Sequence, residues 1–345
     1  MRVPLSRSTW SSVVVHVVLG LGSVAAHAQP GGDPSGIDFL TIGAVGNRGY
    51  DGPDPNGLAT GRGRVDYAYQ IGRYEVTAGQ WGEFFAAVAA QSQPLPWVTQ
   101  PSIWHGTNPG PSLRMMPVGG VTWRTAAMYC NWLHNNKSPD RAAFLSGAYD
   151  VSTFGANSEG VFTDQPAHSE GARYWIPTLD EWMKAAHYDP AKQNPDGSVG
   201  GWWQYLSSDT PLRYGLPPWL GGTGQANAGF AILNDAQFGI PLGAYAGSLS
   251  PWGLLDTAGA TRELTETVFE NTGGVRYRLV DGSAWATPVG SADAVWGIGA
   301  VGMGTTDYAY GLRVAAAIPN PGSAAGLAVG VWLARQQRRR RTWGG

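Results

Sequence analysis

The stretch Val65-Asp-Tyr-Ala-Tyr-Gln-Ile-Gly-Arg-Tyr-Glu-Val-Thr77 joins a predicted strand to a predicted helix, and it decides the fold of this chain. Its apolar and polar residues alternate, as they do in a strand with one buried face. Thr77 is a good N-cap and Gln80 follows three residues later, a capping box that predicts a helix over about residues 78 to 90. Four large side chains share one stripe of this helix: Trp81, Phe84, Phe85 and Val88. We therefore expect the helix to pack against the core.

Two further helix starts follow along the chain. Thr122 can cap a second helix, and Thr178 with Glu181 forms a second capping box for a third. The inward positions of the second helix recur at helical spacing and are Trp123, Ala127, Cys130 and Leu133. From residue 226 onward the sequence indicates loops and short strands. No fixed period repeats across these segments, which argues against a solenoid or a propeller.

The composition indicates a folded domain that is rich in loops. Gly and Pro together make up 74 of the 345 residues, which is below the share of about 25 to 30% that is typical of disorder. Charged residues are only 14%, whereas Trp occurs 16 times. We expect one domain packed around aromatic residues, spanning residues 37–317.

The N-terminal segment has the three parts of a secretory signal peptide. Arg2 and Arg7 precede an apolar run over residues 13–26, and Ala26-His27-Ala28 is a cleavage site of small residues. The alternative, a transmembrane helix, needs roughly 20 apolar residues, more than this run offers. We expect a signal peptide over residues 1–28 and cleavage after Ala28.

The C-terminal segment, residues 318–345, also has three parts. Pro319-Asn-Pro321 precedes an apolar stretch over residues 324–334, and a cluster of five arginines follows within residues 335–341. Arginines after a short apolar stretch hold its end on the cytoplasmic side of a membrane. The segment resembles a PEP-CTERM sorting signal, which implies transient membrane association through this tail; the alternative is a disordered basic tail that binds nucleic acid.

The net charge of −2 conceals an acidic body. Seven arginines lie in the two end segments, and without them 16 basic residues stand against 25 acidic ones, a charge of about −9. An exported, acidic body argues against binding nucleic acid or anionic lipid. Because the chain has one cysteine, no internal disulfide can form either.

Four blocks, in this order, resemble the formylglycine-generating enzyme family, also called the sulfatase-modifying factor family. They are Ile71-Gly-Arg-Tyr-Glu-Val-Thr77, the helix at residues 117–133, Ile176-Pro-Thr-Leu-Asp-Glu-Trp182, and the ending Gly253-Leu-Leu-Asp256, Asp281-Gly-Ser-Ala-Trp285 and Gly311-Leu-Arg-Val314. Together they span about residues 67–314. The resemblance implies a single α+β domain of the C-type-lectin-like class, with little regular secondary structure.

The resemblance also implies a specific chemistry. Enzymes of this family oxidise a substrate cysteine to formylglycine with two cysteines that hold Cu(I), and soft thiolates select that ion. In this chain the corresponding window, residues 283–310, contains no cysteine, and Cys130 is expected to point into the core. We therefore expect no copper site. The alternative function is a formylglycine-generating oxidase that acts on a sulfatase cysteine.

A second branch of the family uses three histidines to hold iron. Four histidines remain after removal of the signal peptide, at positions 105, 134, 168 and 187, and no two are spaced as metal ligands. We interpret each as a surface or loop histidine.

Calcium is the cofactor that the resemblance still allows. The positions that match the family's two calcium sites are Asn227, Ala228, Asp235 and Glu263. Hard oxygen ligands suit Ca²⁺. The alternative is that Asn227 and Asp235 are ordinary turn residues.

The remaining candidates are a set of aromatic residues and a set of carboxylates. Trp285, Trp296, Tyr308 and Tyr310 are the candidate ligand surface, and the alternative is that they belong to the core. Asp256, Glu263, Glu266 and Glu270 are expected to form a solvated face. No Gly-x-Ser-x-Gly motif positions a nucleophile.

The sequence therefore predicts a non-catalytic binding or structural module. Its expected place is the periplasm, outer envelope or extracellular matrix of a Gram-negative bacterium, and its expected partner is an extracellular glycan or protein.

Overall fold

A computed structural model describes residues 33–228, 239–285, 293–305, 307 and 309–319. The predicted signal peptide and the predicted sorting tail from residue 320 onward lie outside the described residues. None of the helices in the described ranges combines the length and the apolar character that a membrane span requires.

Short elements separated by loops make up the described chain. The helices are α1 (Ala78–Ala89), α2 (Trp123–His134), α3 (Ala142–Leu145) and α4 (Leu179–His187). The strands are β1 (Phe39–Ile42), β2 (Tyr69–Gly72), β3 (Tyr174–Trp175), β4 (Tyr188–Gln193), β5 (Val199–Trp202), β6 (Arg262–Glu270), β7 (Arg276–Asp281), β8 (Gly299–Val301), β9 (Tyr310–Gly311) and β10 (Ala315–Ala316). Three single turns of 3₁₀ helix lie at Pro111–Leu113, Val151–Thr153 and Pro218–Leu220.

Two four-stranded sheets and one hairpin organise the strands. The first sheet has the order β1-β2-β10-β3, so that a strand from the end of the domain lies between two earlier ones. The second has the order β8-β7-β6-β9, with β9 parallel to β6. Strands β4 and β5 form a separate antiparallel hairpin. The mixed helices and sheets confirm the prediction of an α+β domain with little regular structure.

The strand-to-helix junction around Thr77 folds much as its sequence predicts. Strand β2 is shorter than the alternating stretch, because beyond Gly72 the backbone bonds to loop residues instead of a strand: Arg73 donates to the carbonyl of Asp38, and Val76 to that of Leu312. Both halves of the Thr77–Gln80 capping box are present, and α1 begins at Ala78.

The stripe on α1 packs into an aromatic core, as predicted. Trp81 and Phe84 are fully buried, and the Trp81 ring centroid lies 5.0 Å from that of Tyr129 on α2. Phe84 also contacts Trp132 and Phe144, with centroids 5.7 and 5.9 Å away. Tilted and edge-on pairs of this kind contribute about 0.5 to 1.5 kcal/mol each beyond the area they bury.

The capping box of α4 gives a first prediction. The Thr178 hydroxyl accepts from the backbone N–H of Glu181 at 3.0 Å, and the Glu181 carboxylate accepts from the Thr178 N–H at 2.7 Å. Thr178→Ala is expected to lower the free energy of unfolding by about 1 kcal/mol, because one helix N–H loses its acceptor. Urea unfolding of the two chains measures the difference. Thr178→Ser keeps the oxygen and is expected to retain most of the stability, so equal losses in both variants would contradict this role.

Candidate functional site

The single thiol lies in the core and faces away from solvent. Cys130 is on α2 and is 0% exposed, which confirms that it points inward. Burial, together with the charge of Glu266, raises the pKa of this thiol well above its ordinary value. The thiolate is the form that binds metals and attacks substrates. Cys130 therefore has neither the exposure nor the ionisation of a catalytic cysteine.

A buried ion pair lies where the second sheet meets the first. Both oxygens of Glu263 on β6 accept from the Arg313 guanidinium, at distances from 2.6 to 3.0 Å. The indole N–H of Trp182 donates to the same carboxylate at 2.6 Å. Arg313 donates its remaining N–H groups to the carbonyls of Gly72, Arg73 and Leu255. This arginine joins β2, β6 and the loop before β6, and all its donors are satisfied.

A second buried carboxylate lies beside this pair. Glu75 is 1% exposed and accepts from the N–H and the hydroxyl of Thr261. Burial and the neighbouring Glu263 charge raise the pKa of Glu75 well above its ordinary value. Such surroundings favour the neutral form of a carboxyl group, and the hydrogen bond from the Thr261 hydroxyl opposes the shift.

The prediction that the carboxylates of this region form a solvated face is wrong for two of the four. Glu263 is 0% exposed and Glu266 is 2% exposed. Asp256 is half-buried, and desolvation raises its pKa to about 6. Only Glu270, at the end of β6, is exposed, and it pairs with Arg276 at 3.0 Å.

The sequence missed a dyad of histidine and glutamate. Nδ1 of His168 lies 2.9 Å from Oε1 of Glu266, and the Tyr149 hydroxyl donates to Oε2 at 2.8 Å. The His168 ring stacks on Trp175 with centroids 4.5 Å apart. Burial alone would lower the pKa of His168, but the hydrogen bond to Glu266 and its charge outweigh burial and raise it. This dyad can hold a proton at a half-exposed imidazole, and its partners are 98 residues apart in sequence.

Two aspartates near the end of the second sheet each have one buried oxygen without a hydrogen-bond partner among the described residues. These oxygens are Oδ2 of Asp281 and Oδ1 of Asp293. Burial raises the pKa of Asp281 to about 7 and that of Asp293 above its usual range. The other oxygen of Asp293 accepts from the Tyr214 hydroxyl. Within the described ranges, no group of three or more His, Cys, Asp or Glu is arranged to hold a metal ion.

The structure describes three of the four calcium candidates, which are Asn227, Ala228 and Glu263. Asn227 pairs with Gly259 in a parallel bridge, and its carbonyl accepts from the N–H of Ala260 at 3.0 Å. Ala228 is fully buried, and Asp235 lies outside the described residues. Glu263 already has a guanidinium and an indole N–H as partners. The assignment of calcium to these four residues stays a prediction.

The aromatic candidates are mostly enclosed. Trp285 and Trp296 are 8% and 9% exposed, and Trp296 packs in a core cluster with Leu179 and Leu279. Tyr310 is half-buried against the main core, and Tyr308 lies outside the described residues. Trp296 and Tyr310 therefore contribute to the packing of the core. A role of the four aromatic residues in ligand binding stays a prediction.

One of the four histidines contradicts the prediction of surface or loop positions. His187 is the last residue of α4 and is 2% exposed. Burial lowers its pKa to about 4, although a backbone hydrogen bond to Tyr205 opposes the shift. A helical signal was present in the sequence, since Leu179, Met183 and His187 follow one another at intervals of four residues.

Comparison with protein families gives one match over most of the chain. The model of the sulfatase-modifying factor enzyme 1-like domain matches residues 43–318. The chain belongs to this family. Comparison with curated proteins gives no match.

Three solved structures are similar to this chain, and one of them supports the fold. CarF is 19% identical, with a TM-score of 0.50, and the match covers 83% of this chain and all of CarF. A variable protein of Treponema denticola is 17% identical, with a TM-score of 0.47, and 82% of this chain covers 95% of it. PvdO of Pseudomonas aeruginosa is 13% identical, with a TM-score of 0.43, and 82% of this chain covers 92% of it. The CarF match supports the α+β fold of formylglycine-generating enzyme-like proteins.

The copper site of the family's oxidases does not fit this member. That site needs two thiolates, and the sequence contains one cysteine, which is buried in α2. A single buried thiol with a raised pKa cannot provide a two-coordinate Cu(I) site.

Proposed function

We propose that this sulfatase-modifying factor-like domain is an exported, non-catalytic binding or structural module at the envelope of a Gram-negative bacterium. The observation that carries the proposal is the burial of the only cysteine, Cys130, in a helix of the core. Without a second thiol the fold retains its scaffold and loses the copper chemistry. Loops on a fixed scaffold are where such folds acquire ligands.

The two end segments support export. Residues 1–28 have the pattern of a signal peptide, and the arginines within residues 335–341 follow a short apolar stretch, as in a sorting tail. The tail then provides a transient membrane contact. The partner is an extracellular glycan or protein, and the acidic body disfavours nucleic acid.

Calcium is the expected cofactor in this proposal. The amide of Asn227, the carbonyl of Ala228 and the carboxylate of Asp235 would supply oxygens of the kind that Ca²⁺ prefers. The ion would stabilise the loops, because no disulfide constrains them.

Family membership favours the alternative function, the formylglycine-generating oxidase, and one experiment separates the two. The purified secreted chain is titrated with Cu(I) against a chromogenic chelator, and a cysteine-containing sulfatase peptide is then incubated with the chain, copper and oxygen. We expect no stoichiometric, tight copper uptake and no aldehyde on the peptide by mass spectrometry.

The control variant is Cys130→Ala, which removes the only thiol. It is expected to behave like the natural chain in both assays, because the thiol is buried and protonated. Tight binding of one copper ion per chain, accompanied by aldehyde formation, would overturn the proposal in favour of the oxidase.

A further inference from the structure

Three buried side-chain oxygens near the end of the second sheet have no hydrogen-bond partner among the described residues. They are Oδ2 of Asp281, Oδ1 of Asp293 and Oγ1 of Thr257. The three residues are 1%, 3% and 4% exposed, so bulk water does not satisfy these atoms. A buried polar atom without a partner is costly, and a charged one is more so. The fold therefore needs a further group to satisfy them.

The turn that carries Thr257 lies against the end of β7. Asp281 is the last residue of that strand, and a Cβ on the next residue, Gly282, would lie 3.0 Å from the carbonyl oxygen of Thr257. One residue further on, the Ser283 hydroxyl accepts from the N–H of Gly259 at 2.8 Å. The unpartnered oxygens of Asp281 and Thr257 therefore belong to two segments that are in contact.

The segment that carries Asp293 is tied to the same end of β7. Arg262 donates to the carbonyl of Gly282 at 3.0 Å, and it also donates to the carbonyl of Gly297, four residues after Asp293. Burial is the main cause of the raised pKa of Asp281, and the charge of Asp293 adds to the shift. The two carboxylates therefore lie within electrostatic reach and repel each other.

The charges and the atom types of this place favour a small divalent cation. The two carboxylates carry two negative charges, whereas the nearby Arg262 carries one positive charge and directs its hydrogen bonds here to carbonyl oxygens. A water molecule would leave the repulsion between the carboxylates in place, and an anion would be repelled by both. The unpartnered atoms are all oxygens, which are the ligands that hard cations such as Ca²⁺ and Mg²⁺ prefer.

We propose that Asp281 and Asp293 bind one hard divalent cation, with the Thr257 hydroxyl as a neutral ligand. Ca²⁺ accepts an irregular set of oxygens, whereas Mg²⁺ demands near-octahedral geometry, so Ca²⁺ is expected to bind more tightly. Only two carboxylates take part, since no larger group of such ligands occurs among the described residues. We therefore expect weak binding, with a Kd of about 10⁻⁴ to 10⁻³ M.

This site is distinct from the calcium positions of the proposed function and does not depend on them. The test is isothermal titration of the purified secreted chain, freed of metal with a chelator, with CaCl₂ and separately with MgCl₂. The site variant is Asp281→Asn, which removes one charge and keeps the oxygen that accepts from the N–H of Gly282. The matched control is Glu270→Gln, which removes an exposed carboxylate at the other end of the β6–β7 pair. Asp235→Asn removes the carboxylate of the other predicted calcium position.

We expect one Ca²⁺ site that persists in Glu270→Gln and in Asp235→Asn and is at least tenfold weaker in Asp281→Asn. Thermal melting gives a second readout and checks that each variant is folded. In chelator, Asp281→Asn is expected to melt no lower than the natural chain, because one of two repelling charges is gone. In excess calcium, the natural chain and the controls gain stability and Asp281→Asn does not.

Three results would count against this inference. Calcium binding that Asp281→Asn leaves unchanged, or that only Asp235→Asn removes, would overturn this site and leave the calcium of the proposed function in place. Tighter binding of Mg²⁺ would overturn the preference for Ca²⁺. If neither cation binds at concentrations well above the expected Kd, the inference fails, whereas the proposed binding or structural function is tested separately by the copper and peptide assays.

Discussion

Replacing Glu263 with Gln is expected to lower the free energy of unfolding by about 3 to 5 kcal/mol. The carboxylate lies against Arg313, and the two side chains are 1% and 0% exposed. The amide of Gln cannot balance the guanidinium charge, which remains buried because Arg313 also bonds to three backbone carbonyls. Denaturant unfolding, monitored by tryptophan fluorescence, measures the loss.

Two comparisons make this prediction specific to the buried pair. Glu270→Gln breaks the exposed pair with Arg276 and is expected to change the unfolding free energy by less than about 0.5 kcal/mol. Replacing both partners, with Glu263→Gln and Arg313→Met, is expected to cost less than the sum of the two single changes, because no charge is left unpaired. A loss below about 1 kcal/mol for Glu263→Gln would contradict the role of the pair.

The same variant bears on the predicted calcium role of Glu263. If Glu263 serves Arg313, the loss of stability is the same with excess calcium and with a chelator. If it serves calcium, the loss appears chiefly when calcium is present, because only then does the natural chain gain from the ligand. Unfolding curves in both conditions separate the two roles.

The helix starts could be predicted from the sequence because their signals are local. Thr77 and Gln80, like Thr178 and Glu181, are three residues apart, and each pair forms a capping box in the structure. The inward stripe of α1 is local in the same sense, since the spacing of Trp81, Phe84 and Phe85 follows directly from the helix period. The four sequence blocks that resemble the formylglycine-generating enzyme family extended the prediction from single helices to the whole α+β fold.

The buried polar groups could not be predicted in this way, because their partners are distant in sequence. Glu263 and Arg313 are 50 residues apart, and His168 and Glu266 are 98 residues apart. A carboxylate in a strand has the same local pattern whether it meets water or a guanidinium from another element. The assumption that Glu263 and Glu266 were solvated failed for this reason.

Acidification is expected to remove about 3 kcal/mol of stability through His187 alone. Folding lowers the pKa of this buried imidazole from 6.5 to about 4, so the folded state favours its neutral form. The contribution is therefore fully present above pH 6.5, and it is lost as the pH falls toward 4. Protonation would also leave a charged N–H at Nδ1, which is buried and has no hydrogen-bond partner among the described residues.

The measurement must isolate His187 from carboxylates that titrate in the same range. Asp281 and Asp256 have pKa values raised by burial to about 7 and about 6, so they stabilise the fold as the pH falls and oppose the histidine. Their contributions are common to the natural chain and to His187→Gln and cancel in the difference between the two. That difference in unfolding free energy is expected to fall by about 2 kcal/mol between pH 7 and pH 5, and by about 3 kcal/mol at pH 4.

His168 is the internal comparison for this prediction, because its pKa is raised instead of lowered. Its contribution is fully present below pH 6.5 and is lost as the pH rises through its folded pKa, so His168→Gln should show a difference of opposite slope. NMR titration of the imidazole protons gives a second readout, in which the His187 signals stay constant above pH 5 while those of His168 shift above pH 6.5. If His187 titrated near its ordinary pKa, the ring would have to reach water in the native state, and its burial at the end of α4 would be wrong.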